Sequence, residues 1–367
     1  MKILGKEVAG GERFASRRKR AVSAGLALTI AVIASACGSG GSGQPGDGSA
    51  SGTPVKLTLA MAGVDPLISI AWVGQAYGIF DKNNLDIKIE VDGANVGNAL
   101  VAGKADIGIV GPSSALNATN QGKPMTVIYN NAGNASAGVM GAAPDVKAVE
   151  DCKRVGVLAG GGPAAWAQTY KNLYRAPFRI VPINDQNAVM SALAGGTVDC
   201  AVGSVAAFPP LVKAGKAHYL INLISDPNNP TIPQALRELR SQIMEGSLIG
   251  LTDHLESRRK DVTAFLAAYN EAVQKFRSTS PEELARKLKA TKDWAGFNEA
   301  ALATLLSTVA PGIAPNNGHI SPDSWKPQLA YLKAAGLSFI NEDEKLWSYD
   351  SRVDMSYYEK AGIKPGN

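Results

Sequence analysis

The chain has 367 residues, 45% of them hydrophobic and 19% charged, which is enough for two lobes with a sizeable core. Its formal net charge is +5, from 37 Lys and Arg against 32 Asp and Glu. Seven of those basic residues and two of the acids lie within positions 1–36, so the remainder carries 30 of each and no basic face that would point to nucleic acid. The three histidines (His218, His254, His319) are far apart and lack ligand spacing, and neither a metal site nor a bound cofactor is expected.

Positions 1–36 read as a targeting signal. "SRRKR" (Ser16 to Arg20) is basic, and "AVSAGLALTIAVIASA" (Ala21 to Ala36) is apolar but too short and too rich in small residues for a membrane span. Ala34, Ser35 and Ala36 before Cys37 resemble a bacterial lipobox, with Ala34 where leucine is usual. Acylation would make Cys37 the mature N-terminus and a membrane anchor; an ordinary signal peptide cut near Ala36 would leave it free. Positions 37–54 then form a Gly/Ser-rich tether with an r.m.s. span of roughly 20–25 Å.

From Val55 strands and helices alternate. "KLTLAM" (Lys56 to Met61) reads as a strand, "LISIAWVGQAYGIF" (Leu67 to Phe80) as a helix, and "LDIKIEVD" (Leu85 to Asp92) as a strand with one wetter face. A short helix "NVGNALVAG" ends at Gly103, and "DIGIVG" (Asp106 to Gly111) reads as a buried central strand. Pro112 opens the next helix, and Met125–Ala132 is a strand.

A second series follows, with strands at Arg154–Ala159, Phe178–Ile183, Asp199–Ser204 and His218–Leu223 and helices between them. "ALRELRSQIM" reads as a helix, Ser247–Thr252 as a strand returning to the first series, and the rest from Arg258 as helical. The alternation implies α/β architecture with parallel-core sheets covered by helices. Residues 55–140 and 247–367 form lobe 1, and residues 141–246 form lobe 2, inserted in it.

The stretch from Gly78 and Phe80, through Leu85–Asp86–Ile87, to Asn98–Ala99–Leu100, Gly103 and Asp106–Ile107–Gly108 resembles the substrate-binding proteins of nitrate, sulfonate, taurine and thiamine-precursor type ABC importers, with Asn84 in place of a usual glycine. "AVMSALAGGTVDCAV" repeats the habit, and the resemblance runs from Val55 to about Ala335. It implies a two-lobed, type II periplasmic-binding-protein-like fold, a monomer, and an ABC permease with its ATPase subunits as partners. It also implies a function without bond chemistry: an extracytoplasmic lipoprotein that closes its lobes on a small organic solute or oxyanion. Asp106 and Asp199, each at the start of a strand, are read as structural.

Ligands of open α/β sheets sit beyond the carboxyl ends of the strands. That rule selects Gly63–Pro66, Gly111–Ser114, Asn130–Ser136, Gly160–Ala165 and Gly203–Val205. Within or beside these stretches the candidate ligand-binding residues are Gly63, Asp65 and Trp72, then Gly111, Ser113 and Ser114. Asn131 and Asn134 follow, with Gly161, Gly162, Ala164, Trp166 and Ser204 from the second series. Helix starts there offer unpaired N–H groups, and the serines offer hydroxyls. Ser113 or Ser114 could equally cap a helix, and Trp72 and Trp166 could belong to the core. The five stretches contain no Arg or Lys, which favours a neutral or zwitterionic solute. If Asp65 faces the cleft, an amine or a ring N–H fits better than an anion.

Gly160, Gly162 and Ala165 also fit the dinucleotide pattern G-x-G-x-x-A, with Asp185 near the place of a ribose-binding acid. An exported nicotinamide oxidoreductase is therefore the alternative. It is disfavoured because the turn opens the second series rather than the first, and no acid/base pair stands beside it. Cys152 and Cys200 fall on neighbouring strands if the second lobe runs 2-1-3, so a disulfide between them is expected. The hinge crossings are expected near Ala137–Ala143 and Gly246–Leu251, made compliant by Gly138, Gly141 and Gly246.

Overall fold

A computed structural model describes residues 53–159, 162–226, 228–240 and 243–366. The leader, Cys37, nearly all of the tether, and Gly160 and Gly161 lie outside the described residues. Those described hold the strands β1 (Val55–Met61), β2 (Leu85–Val91), β3 (Ile107–Val110), β4 (Met125–Gly133), β5 (Val139–Ala142), β6 (Arg154–Leu158), β7 (Arg179–Ile183), β8 (Cys200–Gly203), β9 (His218–Ile221) and β10 (Met244–Leu251). They form two five-stranded sheets, ordered β2-β1-β3-β10-β4 and β7-β6-β8-β5-β9.

Each sheet has the same plan. Three strands are parallel (β2-β1-β3 and β7-β6-β8), as the alternation of strand and helix requires. The fourth strand enters antiparallel: β10 pairs with β3 and β4, and β5 with β8 and β9. The sheets are thus mixed rather than wholly parallel, and β10 returns the chain to the first of them.

β5 falls where the sequence suggested a compliant crossing. Its residues Val139–Ala142 are all buried. The flanking glycines have a packing reason: a Cβ on Gly138 would lie 2.7 Å from the Trp166 ring, and one on Gly141 would lie 2.5 Å from Phe208. The chain passes between the sheets instead between β4 and β5 and between β9 and β10. The helix expected over "ALRELRSQIM" spans only Gln234–Leu239.

β4 is at the edge of its sheet yet buried at all nine positions. The C-terminal segment covers that edge through bridges from Val353 to Val127 and from Ile313 to Ala132. The long helix Arg259–Ser278 buries Val262, Phe265, Leu266, Tyr269, Ala272, Val273 and Phe276, an apolar stripe at helical spacing. A later helix, Pro322–Ala334, holds on to both sheets' surroundings. Its Tyr331 ring lies 4.9 Å from that of Trp166, its Gln328 Oε1 accepts from the Met244 N–H (2.8 Å), and its Ala334 carbonyl accepts from Asn172 Nδ2 (2.7 Å).

Cys152 and Cys200 form a disulfide with a Cα–Cα distance of 6.0 Å. It joins the approach to β6 with the start of β8, in the 2-1-3 arrangement expected of this sheet. Asp106 and Asp199 are both backbone anchors. Asp106 accepts from the Thr58 N–H (2.7 Å), His254 Nε2 (2.7 Å) and Arg258 Nη1 (2.8 Å), and Asp199 accepts from the N–H groups of Lys153 (2.7 Å) and Arg154 (2.6 Å).

Candidate functional site

A cavity of about 180 Å³ lies where strand ends of the two sheets face each other. From the first sheet come Gly63–Ile68 after β1, Gly93, Ala94, Val96 and Gly97 after β2, and Gly111 and Ser114 after β3. The second sheet supplies Leu158, Ala159, Gly162 and Pro163 around the end of β6, Asp185–Asn187 after β7, and Ser204 after β8. Leu305, on the helix Glu299–Val309, and Phe297, just before that helix, close one side.

Of the residues singled out in the sequence, Gly63, Asp65, Gly111, Ser114, Gly162 and Ser204 line the cavity. Gly161 lies outside the described residues. The structure places the others off the wall for identifiable reasons. Trp72 is buried against Trp294 and donates its indole N–H to Asp293 Oδ2 at 2.8 Å. Asn131 is fully buried and accepts from the Tyr269 hydroxyl at 2.5 Å. Asn134 donates to the Pro311 carbonyl at 2.8 Å. Ser113 is buried in the first turn of the helix Pro112–Asn120, and Ala164 faces elsewhere on the helix Gly162–Leu173. Trp166 is fully buried and touches the site only through a carboxylate.

That carboxylate belongs to Glu245, at the second position of β10. Its Oε1 accepts from Trp166 Nε1 and from the Ala137 N–H, both at 2.9 Å. Its Oε2 has no partner among the described residues, although the residue is only 6% exposed and lines the cavity. Burial pushes its pKa up to about 8; the Trp166, Ala137 and Ser136 donors pull against this, and the nearby Asp65 adds to it. Asp65 opens the short helix Pro66–Ile68 and accepts from the Leu67 N–H at 2.8 Å. Burial raises its pKa too, against the pull of the Leu67 N–H and the Ser204 hydroxyl.

The ends of the outer strands β2 and β7 obey the strand-end rule as well as the five loops that the sequence selects. Those ends bring Gly93 and Gln186 to the cavity, and Gln186 Nε2 is buried without a partner among the described residues. Glu245 escaped for a different reason. β10 runs antiparallel, so it presents its first residues, not its last, at the same end of the sheet. Met244 and Glu245 also precede the apolar run that marks the strand in the sequence.

At the mouth the two sides nearly meet. Gly93 has φ +57°, and a Cβ there would lie 2.7 Å from the Asn184 carbonyl oxygen across the cleft. Asp185 caps its own helix, accepting from the Ala188 N–H at 2.8 Å, which occupies the side chain that a ribose would require. None of the three histidines lines the cavity, and among the described residues no group of His, Cys, Asp and Glu could hold a metal ion. The arrangement can enclose a small molecule, donate from helix starts and accept at two carboxylates.

The fold is shared with several solved proteins. A protein of Bordetella bronchiseptica RB50 matches with TM-score 0.70 and 16% identity, covering 84% of this chain and 98% of its own. The periplasmic aliphatic sulphonate binding protein SsuA of Escherichia coli matches with TM-score 0.59 and 16% identity, covering 83% and 91%. The periplasmic nitrate-binding protein NrtA of Synechocystis PCC 6803 matches with TM-score 0.61 and 11% identity, covering 84% and 88%. These establish a type II periplasmic-binding-protein fold. No curated protein matches the sequence. The family model described as NMT1/THI5 like matches residues 66–283, more than half of the chain, and the chain belongs to that family.

Proposed function

We propose that the chain is the extracytoplasmic solute-binding component of an ABC importer, holding a small organic solute between its two lobes and presenting it unchanged to a permease. The observation that carries this is the cavity walled from both sheets, with glycines and helix starts on each side. Family membership and a fold shared with sulphonate- and nitrate-binding proteins support it. In this reading Asp65, Ser114 and Ser204 contact the solute, and the two lobes, one built on each sheet, close on it. Positions 1–36 direct export, and acylated Cys37 with its tether holds the protein at the outer face of the membrane.

A thermal-shift screen of the purified protein tests the binding. A ligand at 100 times its Kd stabilises by about 2.7 kcal/mol, which is a readily measured rise in Tm. Chemical conversion of a stabilising compound would refute the reading. The anchor is tested separately: labelled palmitate should enter the wild-type protein in growing cells and be absent from Cys37→Ala, and equal labelling of both would remove Cys37 as the attachment point.

A further inference from the structure

We propose that the solute carries a positively charged nitrogen, of the amine or amidine class, seated between Asp65 and Glu245; this rests on the solute-binding reading above. Three carboxylates line the cavity (Asp65, Asp185 and Glu245), and among the described residues no Lys, Arg or His does. Asp185 is exposed at the rim, where it caps its helix, which leaves the more enclosed Asp65 and Glu245. The decisive atom is Glu245 Oε2. It belongs to a residue that is only 6% exposed, that residue lines the cavity, and the atom has no partner among the described residues. An unpartnered buried carboxylate oxygen is costly unless something charged or N–H-bearing meets it.

An oxyanion in the same space would find no compensating cation and would have to be met by protonated acids, whereas an ammonium or amidinium group displaces the Glu245 proton and offers donors to both carboxylates. Leu67, Ile68, Val110, Phe297 and Leu305 around the acids suit an apolar or flat body behind the charged head. The buried Gln186 Nε2 adds a donor on the opposite wall, so the body also has room for one acceptor.

The test is a thermal-shift and titration-calorimetry panel sorted by charge, run on the wild-type protein. It contains primary amines, amidines and quaternary ammonium compounds; carboxylates, sulfonates and nitrate; and uncharged sugars and nucleobases. The proposal expects the tightest binder among the cations, and a loss of affinity of about tenfold or more in both Asp65→Asn and Glu245→Gln. These variants keep the acceptors for Leu67 N–H and Trp166 Nε1, so the fold has a route to survive. Circular dichroism confirms the fold, and if one variant fails to fold the other carries the test. A pH series adds a second readout. The groups facing Glu245 are Asp65 and the hydroxyls of Tyr170 and Tyr331. A cation that displaces the Glu245 proton binds more tightly as pH rises, and an anion more weakly.

A sulfonate, carboxylate or nitrate as tightest binder would overturn the cation assignment and leave the solute-binding reading standing. So would an uncharged compound, or a cation whose affinity neither variant alters. A panel in which nothing binds the wild type would count against the solute-binding reading itself.

Discussion

Trp166 donates its indole N–H to Glu245 Oε1 across 2.9 Å, joining a helix of the second sheet to the strand that returns to the first. The contact ties the two halves of the cavity wall to one carboxylate. It also explains why an aromatic side chain beside the cleft is buried rather than exposed to a solute.

The protonation of Glu245 makes folding stability depend on pH. Its pKa is raised from 4.5 to about 8 in the folded protein. Between those values the folded state keeps a proton that the unfolded chain has released, so stability falls as pH rises through the window. Glu245→Gln abolishes that titration. The stability of the variant relative to wild type should improve by up to about 1.4 kcal/mol per pH unit across the window. Urea denaturation at a series of pH values measures it, and a difference that does not vary with pH contradicts the assignment.

The disulfide closes a loop with a sequence separation of 48. Replacing Cys152 and Cys200 together by Ser should destabilise the protein by about 4 kcal/mol in the chain-entropy model. Intact mass before and after alkylation, without reductant, should show both thiols blocked in the wild type. Ready labelling of Cys152 and Cys200 in the folded protein would contradict the bridge.

Gly138 is small because of Trp166, not because the backbone must bend there. Gly138→Ala should cost about 1–3 kcal/mol by overpacking, since its Cβ would meet the indole at 2.7 Å. Thermal unfolding reads this directly. An unchanged Tm would return the position to the role of a flexible joint.

Gly93 stands at the mouth, where its added Cβ would meet the Asn184 carbonyl at 2.7 Å. Gly93→Ala should weaken the binding of a stabilising compound severalfold, because it props the two sides apart. The left-handed φ of +57° adds a modest stability cost of roughly 1 kcal/mol. Wild-type affinity in this variant would show that the mouth need not close as far as the structure shows.

The fold could be read because its signals are local and repeated. Apolar runs such as Leu57–Met61 and Ile107–Val110 mark strands, and Gly103 with φ +66° marks a helix end. β5 was hidden, since the four residues Val139–Ala142 hold one glycine and resemble a linker until the neighbouring strands supply partners. The site was partly legible. The carboxyl ends of parallel strands are visible in sequence, and they led to Asp65, Gly111, Ser114, Gly162 and Ser204. Antiparallel entry reverses that geometry, so nothing local announced Glu245. Asn131 and Asn134 obeyed the same rule and yet turned away, because Tyr269 and the Pro311 carbonyl gave their amides tertiary partners.

The most direct test of the central claim is a titration with recovery. The compound that most stabilises the purified protein is bound to saturation, counted by calorimetry, released by denaturation and weighed by mass spectrometry. The account predicts one molecule per chain, recovered at its original mass, with affinity reduced by substitutions on both walls, Gly111→Val and Ser204→Ala. Recovery of an altered molecule, or binding untouched by both substitutions, would contradict it.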